Sequence, residues 1–361
     1  MNVYFSSGGN SSLDSKRGIG ANTEELAKEL IKLPKVKVVQ NINDADIVHF
    51  TKFRPFFIDL PFIKPKNQKW ILTLHDMTEL IYPKFYSPGI KGRIKFVINR
   101  YLISRNVDRI ITITETSKKD ICRFLNINPE KVVVSYLAPK SAIKRLSSGS
   151  WSSEIRKRFS LPNKFLMFDH GINYNKNLMV LVKASRLLGM KLVVVGKDSV
   201  NLENLVENYG QINGPQDLIR SLFKIPHPQN SHFKKLLDEI NNADVARLGY
   251  VSDEDLNKLF NLATIYVQPS YYEGFGMPVV EAMSVGCPVI CSKTQALVEV
   301  ADDACLYFDP NDPKELAEKI KMFLNNQSLR NEYVKKGFER VKKFSWKKAA
   351  LETLDVYAKS I

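Results

Sequence analysis

Two glutamates with seven residues between them, Glu273 and Glu281, hold the densest chemistry in this chain of 361 residues. They flank the run Gly274-Phe275-Gly276-Met277, which follows the β-branched stretch Ile265–Val267. Glycines beyond a strand allow close backbone approach. Met277 then opens a predicted helix whose free N–H groups favour an anion. Glu281 falls about one turn inside that helix and Glu273 at the loop tip, so both carboxylates can face one ligand. Ionised carboxylates accept hydrogen bonds strongly, and sugar hydroxyls are suitable donors. The plain alternative is a glycine-containing strand–helix turn with two solvated glutamates.

Other candidates are weaker. His75-Asp76 follows the apolar run Trp70–Leu74, at the strand end where α/β domains place ligands; it reads as an acid–base pair or as a capped turn. Gly18-Ile19-Gly20 precedes Asn22-Thr23-Glu24-Glu25, where Asn22 and Glu25 have capping-box spacing. Thr114–Lys119 reads as a helix start capped by Thr116. His49 ends another strand run and is either structural or ligand-lining. His170, His227 and His232 have no partners at ligand spacing, so no metal site is expected. Four cysteines (Cys122, Cys287, Cys291 and Cys305) form no Cys-x-x-Cys pair; in so long a chain they point to a reducing compartment rather than a disulfide framework.

The elements that must position these groups come from an alternation of short apolar runs with helical patterns. Strands are expected at Val3–Phe5, Val36–Val39, Ile47–Phe50, Ile71–Leu74, Ile110–Ile113 and Val132–Ser135. A second set lies at Phe165–Phe168, Leu192–Val195, Val245–Leu248, Ile265–Val267 and Val289–Ile290. Helices of 10–15 residues between such runs predict parallel sheets covered on both faces. The pattern occurs twice, giving an α/β fold of two doubly wound Rossmann-like domains facing across a cleft. The boundaries are 1–150, 151–343 and a final helix, 344–361, returning to the first domain, with the join in the Ser/Gly-rich stretch Ser147–Ser153. Residues 198–243 interrupt the alternation, with short helices expected at Gln216–Phe223 and Phe233–Asn241.

Charge narrows the partners. Lys and Arg total 53 against 38 Asp and Glu, a net of +15, and residues 1–155 hold 25 of the basic and 14 of the acidic groups. Such asymmetry suggests an anionic partner or simple solubility. No helix-turn-helix, zinc or aromatic RNA-binding motif accompanies it, so no nucleic acid is expected. Residues 84–105 combine Lys84, Lys91, Arg93, Lys95, Arg100 and Arg105 with Phe85, Tyr86, Ile90, Ile94, Phe96, Val97, Ile98, Tyr101 and Leu102. That segment suits either an anionic membrane surface or a core-packing helix with a basic face. No charged leader with an apolar run opens the chain and no 18-residue apolar run exists, so a cytoplasmic protein is expected, peripheral at most to the inner face of a membrane. A dinucleotide oxidoreductase is disfavoured because Gly18-Ile-Gly-Ala-Asn-Thr lacks the third glycine.

The string Glu273-Gly-Phe-Gly-Met-Pro-Val-Val-Glu281-Ala-Met-Ser-Val-Gly286-Cys-Pro288 resembles the signature of retaining glycosyltransferases of family four, which have the GT-B fold. The resemblance extends through Glu299-Val-Ala, Tyr307-Phe-Asp-Pro310, Leu248-Gly249-Tyr250-Val251-Ser252, Gly171…Asn175-Lys176-Asn177, Thr73-Leu74-His75-Asp76 and Gly18-Ile19-Gly20. It implies a metal-independent hexosyltransferase, with no cofactor beyond the nucleotide-sugar donor. Glu281 would hold the ribose and Glu273 the donor sugar. The N–H groups of Phe275, Gly276 and Met277, with Gly274 and Tyr250, would meet sugar and pyrophosphate. Lys176, opening a helix, would reach the phosphates. Gly18 and Gly20 would face the same phosphates, and His75 would lie beside the donor sugar and the acceptor. The mannosyltransferase-like branch implies GDP-mannose as donor and a glycan or lipid-linked acceptor, with a UDP-hexose as the alternative. Many members carry an Arg where this chain has Ile172–Asn175; Arg247 or Lys197 is expected to replace it, or else the chain binds nucleotide sugars without catalysis.

Overall fold

The computed structural model describes residues 1–6, 19–208, 223 and 227–361. Gly18, and the helix expected over 216–223 apart from Phe223, lie outside the described residues. Two compact units are present: Met1–Lys140 with Phe344–Ile361, and Ser141–Lys343.

The first unit holds one sheet of β1 (Asn2–Ser6), β2 (Lys37–Val38), β3 (Ile47–Phe50), β4 (Lys69–Thr73), β5 (Arg109–Thr112) and β6 (Val132–Val134). Its order is β2-β1-β3-β4-β5-β6 and every pairing is parallel. The second unit repeats the scheme with β7 (Leu166–Asp169), β8 (Leu192–Val195), β9 (Val245–Gly249), β10 (Ile265–Gln268), β11 (Val289–Ser292) and β12 (Leu306–Phe308). They run β12-β11-β10-β7-β8-β9, again all parallel. Strand β12 was not foreseen, because Leu306–Phe308 is too short to show a period.

Burial explains why these runs become strands. Leu192–Val195 and Ile265–Val267 are fully buried, as expected where helices cover both faces of a parallel sheet. In the second unit the chain starts at β7, moves outward through β8 and β9, and returns to β10 on the other side of β7. The winding direction therefore reverses between β7 and β10, and such a switch point opens a crevice at the carboxyl ends of the strands.

The join differs from the one expected. Residues 141–150 belong to the second unit: the N–H groups of Lys144 and Leu146 donate to Asn257 and Asn261 at 2.9 Å, and Ile143 enters that unit's core. The serines before Trp151 therefore lead into a helix, Trp151–Arg158, rather than forming a free linker. The final helix, Trp346–Ala358, packs into the first unit's core through Ala350, Val356 and Tyr357 beside Val3, Ile47 and Ile71. Its Trp346 indole donates to the Pro139 carbonyl at 2.9 Å.

Candidate active site

The carboxyl ends of β7 and β10 carry the central cluster. Glu273 is 5% exposed. The Lys176 ammonium donates to both of its oxygens at 2.9 Å. Ser270 Oγ and Gln268 Nε2 donate to Glu273 Oε1 at 2.6 and 2.9 Å, and His170 Nε2 stands 3.5 Å from the same oxygen. Burial raises the Glu273 carboxyl, but Lys176, His170 and the Ser270 hydroxyl outweigh it and hold the group below the usual carboxylate range. Burial, with Lys176 alongside, pushes the His170 ring down to about 4 against the pull of Glu273. The cluster is thus one anion, one cation and a neutral imidazole, in a buried setting that strengthens every polar contact.

Lys176 does not open a helix. It ends a 3₁₀ turn, Tyr174–Lys176, and Asn177 follows with φ of 51° before the helix Leu178–Leu188 begins. The Asn177 amide donates to the carbonyls of Pro269 and Pro310 at 3.0 and 2.7 Å. These bonds fix the left-handed residue, a conformation that asparagine tolerates, and they tie the Lys176 turn to the Glu273 loop.

After Glu273 the chain passes Gly274 and Phe275 to Gly276, whose φ is +90° and whose missing Cβ would lie 2.7 Å from Leu297 Cδ2. The positive φ is what requires glycine there. Met277–Val285 is then helical, with Glu281 2% exposed one turn in. The two carboxylates therefore occupy one loop–helix unit beyond β10. Gly196, beyond β8, was missed by sequence reading: its φ is +144°, and a Cβ would lie 2.3 Å from the His170 carbonyl oxygen. Gln268, Ser270 and His170 were missed too. The usable signal was position, since each lies at or just past a strand end.

Several expectations need correction. Arg247 is committed elsewhere, donating to both carboxylate oxygens of Glu203 at 3.1 and 2.8 Å and to the Ser199 carbonyl at 3.2 Å. Lys197 is exposed just past β8. Ile172, the first residue of the stretch Ile172–Asn175 where many members carry an Arg, is buried in the core. Tyr250 is exposed just past β9.

In the first unit, Gly20 lies inside the helix Ile19–Ile31 rather than before it. Thr114, not Thr116, caps Glu115–Leu125 by accepting from the Ser117 N–H at 3.0 Å. His49 is structural: its two ring nitrogens bond Tyr357 Oη and Thr73 Oγ1, both at 2.7 Å. His75 follows β4 and lines a cavity of about 30 Å³ with Thr51, Thr73, Ser135 and Thr353. Burial lowers its ring, against the opposing effects of Asp76 and the Thr51 backbone, and its Nε2 has no hydrogen-bond partner among the described residues. Asp76 instead accepts from the Thr78 N–H at 2.8 Å, so it caps a turn. Among the described residues no group of three His, Cys, Asp or Glu side chains is placed to hold a metal ion.

Two repeated doubly wound sheets, with paired carboxylates past the switch-point strand of the second, match the GT-B fold. The chain belongs to glycosyltransferase family four. Residues 16–137 match the model described as Glycosyltransferase Family 4, and residues 227–340 match Glycosyl transferases group 1. Lys176 falls between the two matched stretches, so its place beside Glu273 is known from the fold. The chain is 26% identical to O-antigen chain mannosyltransferase B of Escherichia coli over 82% of its own length and 72% of that protein's. It is 24% identical to the serotype-specific mannosyltransferase WbdA of Escherichia coli over 80% of its length, but spans only 33% of that relative. Anabaena HepE, solved in complex with UDP and glucose, superposes with a TM-score of 0.67 at 16% identity, over 99% of each chain.

Proposed function

We propose that the chain is a retaining hexosyltransferase that moves mannose from GDP-mannose to a glycan or lipid-linked acceptor. It works without a metal or other cofactor, in the cytoplasm at the inner face of a membrane. The observation that carries the reading is the ion pair at the switch point between half-buried Lys176 and buried Glu273. Lys176 supplies the positive charge that a departing diphosphate needs, and electrostatic stabilisation of a leaving group is the main task when no metal is present. Glu273 takes the donor-sugar hydroxyls, and Glu281 takes the ribose. The N–H groups of Gly274, Phe275, Gly276 and Met277 approach the sugar and pyrophosphate at the mouth of the following helix. His75, held neutral by burial, offers Nε2 for a hydrogen bond to sugar or acceptor. Gly18, Gly20 and Tyr250 have secondary parts in donor binding.

Both Escherichia coli relatives are named as mannosyltransferases, which supports the sugar. A second reading, a UDP-hexose donor, draws support from the UDP and glucose of HepE. The test is thermal shift and donor turnover across GDP- and UDP-sugars, since a bound ligand stabilises by mass action. GDP-mannose should give the largest shift together with release of GDP. A larger shift with a UDP-sugar would reverse the choice, and binding with no release from any donor would make the chain a non-catalytic binder.

A further inference from the structure

The helix Gly89–Asn106 is apolar on two opposite sides. One side carries Leu102 and Ile103, both buried, with Asn99 and Asn106 also buried. The two asparagine amides anchor an adjoining loop: Asn99 donates to the Pro55 carbonyl at 2.9 Å, and Asn106 to the Phe62 carbonyl at 3.2 Å. That side is accounted for by the fold.

The opposite side is not. Ile90, Ile94, Val97 and Tyr101 are 73%, 56%, 66% and 56% exposed. At 3.6 residues per turn these positions fall within an arc of about 60°, so they form one stripe along the helix. The cations border it. Arg93 and Arg100 lie along one edge, Arg105 and Lys91 along the other, and all four are exposed. Arg105 donates to the Tyr101 hydroxyl at 2.7 Å, which joins the polar tip of the stripe to its basic border. Phe57, also exposed, sits on the flank with the Lys95 ammonium 5.5 Å from its ring centroid. From Leu80 to Val107 the chain holds six Lys and Arg and no Asp or Glu.

From this arrangement we infer that Gly89–Asn106 lies flat on an anionic lipid bilayer, with Ile90, Ile94, Val97 and Tyr101 entering the interface and the bordering cations meeting the headgroups. An apolar stripe between basic borders is the pattern of an interfacial helix, and basic side chains near such a surface are attracted to anionic lipid. Charge complementarity selects this occupant over a second copy of the chain, because two such faces would bring the four bordering cations of each into contact. No described helix is long and apolar enough to cross the bilayer. The inference gives the membrane surface of the proposed function its contact residues, and its test uses neither donor nor acceptor, so either idea can fail alone.

The experiment is co-sedimentation of the full chain with phosphatidylcholine vesicles, with and without about 30% phosphatidylglycerol, at low and high salt. The unaltered chain should partition onto the anionic vesicles at least ten-fold better than onto neutral ones, and less at high salt. Ile94→Ser/Val97→Ser leaves the charge unchanged and should lower anionic-vesicle partitioning at least ten-fold. Arg93→Gln/Arg100→Gln should lower it and flatten the salt dependence. Melting curves report folding for both variants, and Tyr101→Ser replaces the first if it melts early. Failure of the unaltered chain to bind, or full binding by the serine variant, overturns the inference. So does light scattering that shows a dimer dissolved by the serine substitutions, since the stripe would then face a second copy.

Discussion

Glu273→Gln separates two parts of the proposed mechanism, because glutamine keeps the shape of the side chain and removes its charge. The Lys176 ammonium sits 2.9 Å from each Glu273 oxygen. At an effective dielectric of about 20 the attraction at that distance is on the order of 6 kcal/mol before desolvation is subtracted. A diphosphate that binds Lys176 competes with this carboxylate for the same charge. In the glutamine variant the competition is gone, while the side-chain carbonyl still accepts from Ser270. Nucleoside diphosphate affinity should therefore hold or rise, by up to about ten-fold for a gain near 1.4 kcal/mol. Transfer should fall, because charge-assisted hydrogen bonds to the sugar are lost. At about 1.5–3 kcal/mol each, the loss is roughly 10- to 150-fold in kcat. Calorimetric titration with GDP and UDP, beside steady-state transfer kinetics, reads both quantities. Diphosphate affinity that drops in step with kcat would refute the reasoning, as would a variant with full activity. The pair also has a stability test. Lys176→Met strands a buried carboxylate and should cost about 3–5 kcal/mol, and adding Glu273→Gln should recover most of that.

Glu281→Ala removes binding shared by ground and transition states, so donor KM should rise with kcat nearly constant; the reverse pattern in steady-state kinetics would exchange the two glutamates' roles. Burial, with His75 nearby, pushes the His49 ring down to about 3. In the unfolded chain it protonates near 6.5. Stability from the neutral ring is complete above about pH 6.5 and is lost as pH falls from there toward 3, by about 2 kcal/mol at pH 5. Denaturant titrations at pH 7.5 and 5 should show that loss, and His49→Asn should lessen it. Gly196→Ala forces a Cβ to within 2.3 Å of a backbone oxygen at a φ of +144°, and should cost at least about 2 kcal/mol. Gly189→Ala, at φ of +59° with nothing within 4 Å, should cost only about 1 kcal/mol. Equal melting temperatures for the two alanine variants would contradict the crowding argument.

Eleven of the twelve described strands, the doubled winding and the string that carries the two glutamates are legible in the order of residues alone. Parallel strands are buried on both faces, so Leu192–Val195 and Ile265–Val267 stand out as short apolar runs, and the Glu273–Glu281 string lies within one loop and one helix. Local spacing sufficed for those features because the interacting groups are neighbours in the chain. Leu306–Phe308 escaped notice because three residues show no period, and the caps at Thr114 and Asn177 depended on backbone angles that residue types do not fix. What each charged group meets depends on contacts between distant parts of the chain. Lys176 and Glu273 are 97 residues apart in the chain, and their contact depends on β7 and β10 being adjacent in the sheet. Arg247 looked free to bind phosphate until folding set it against Glu203, and His49 looked able to meet a ligand until Tyr357 and Thr73 took both its nitrogens. The helix at Gly89–Asn106 shows the same division. Its sequence is apolar on two opposite sides, and the fold covers one of them while leaving the Ile90–Tyr101 stripe in solvent.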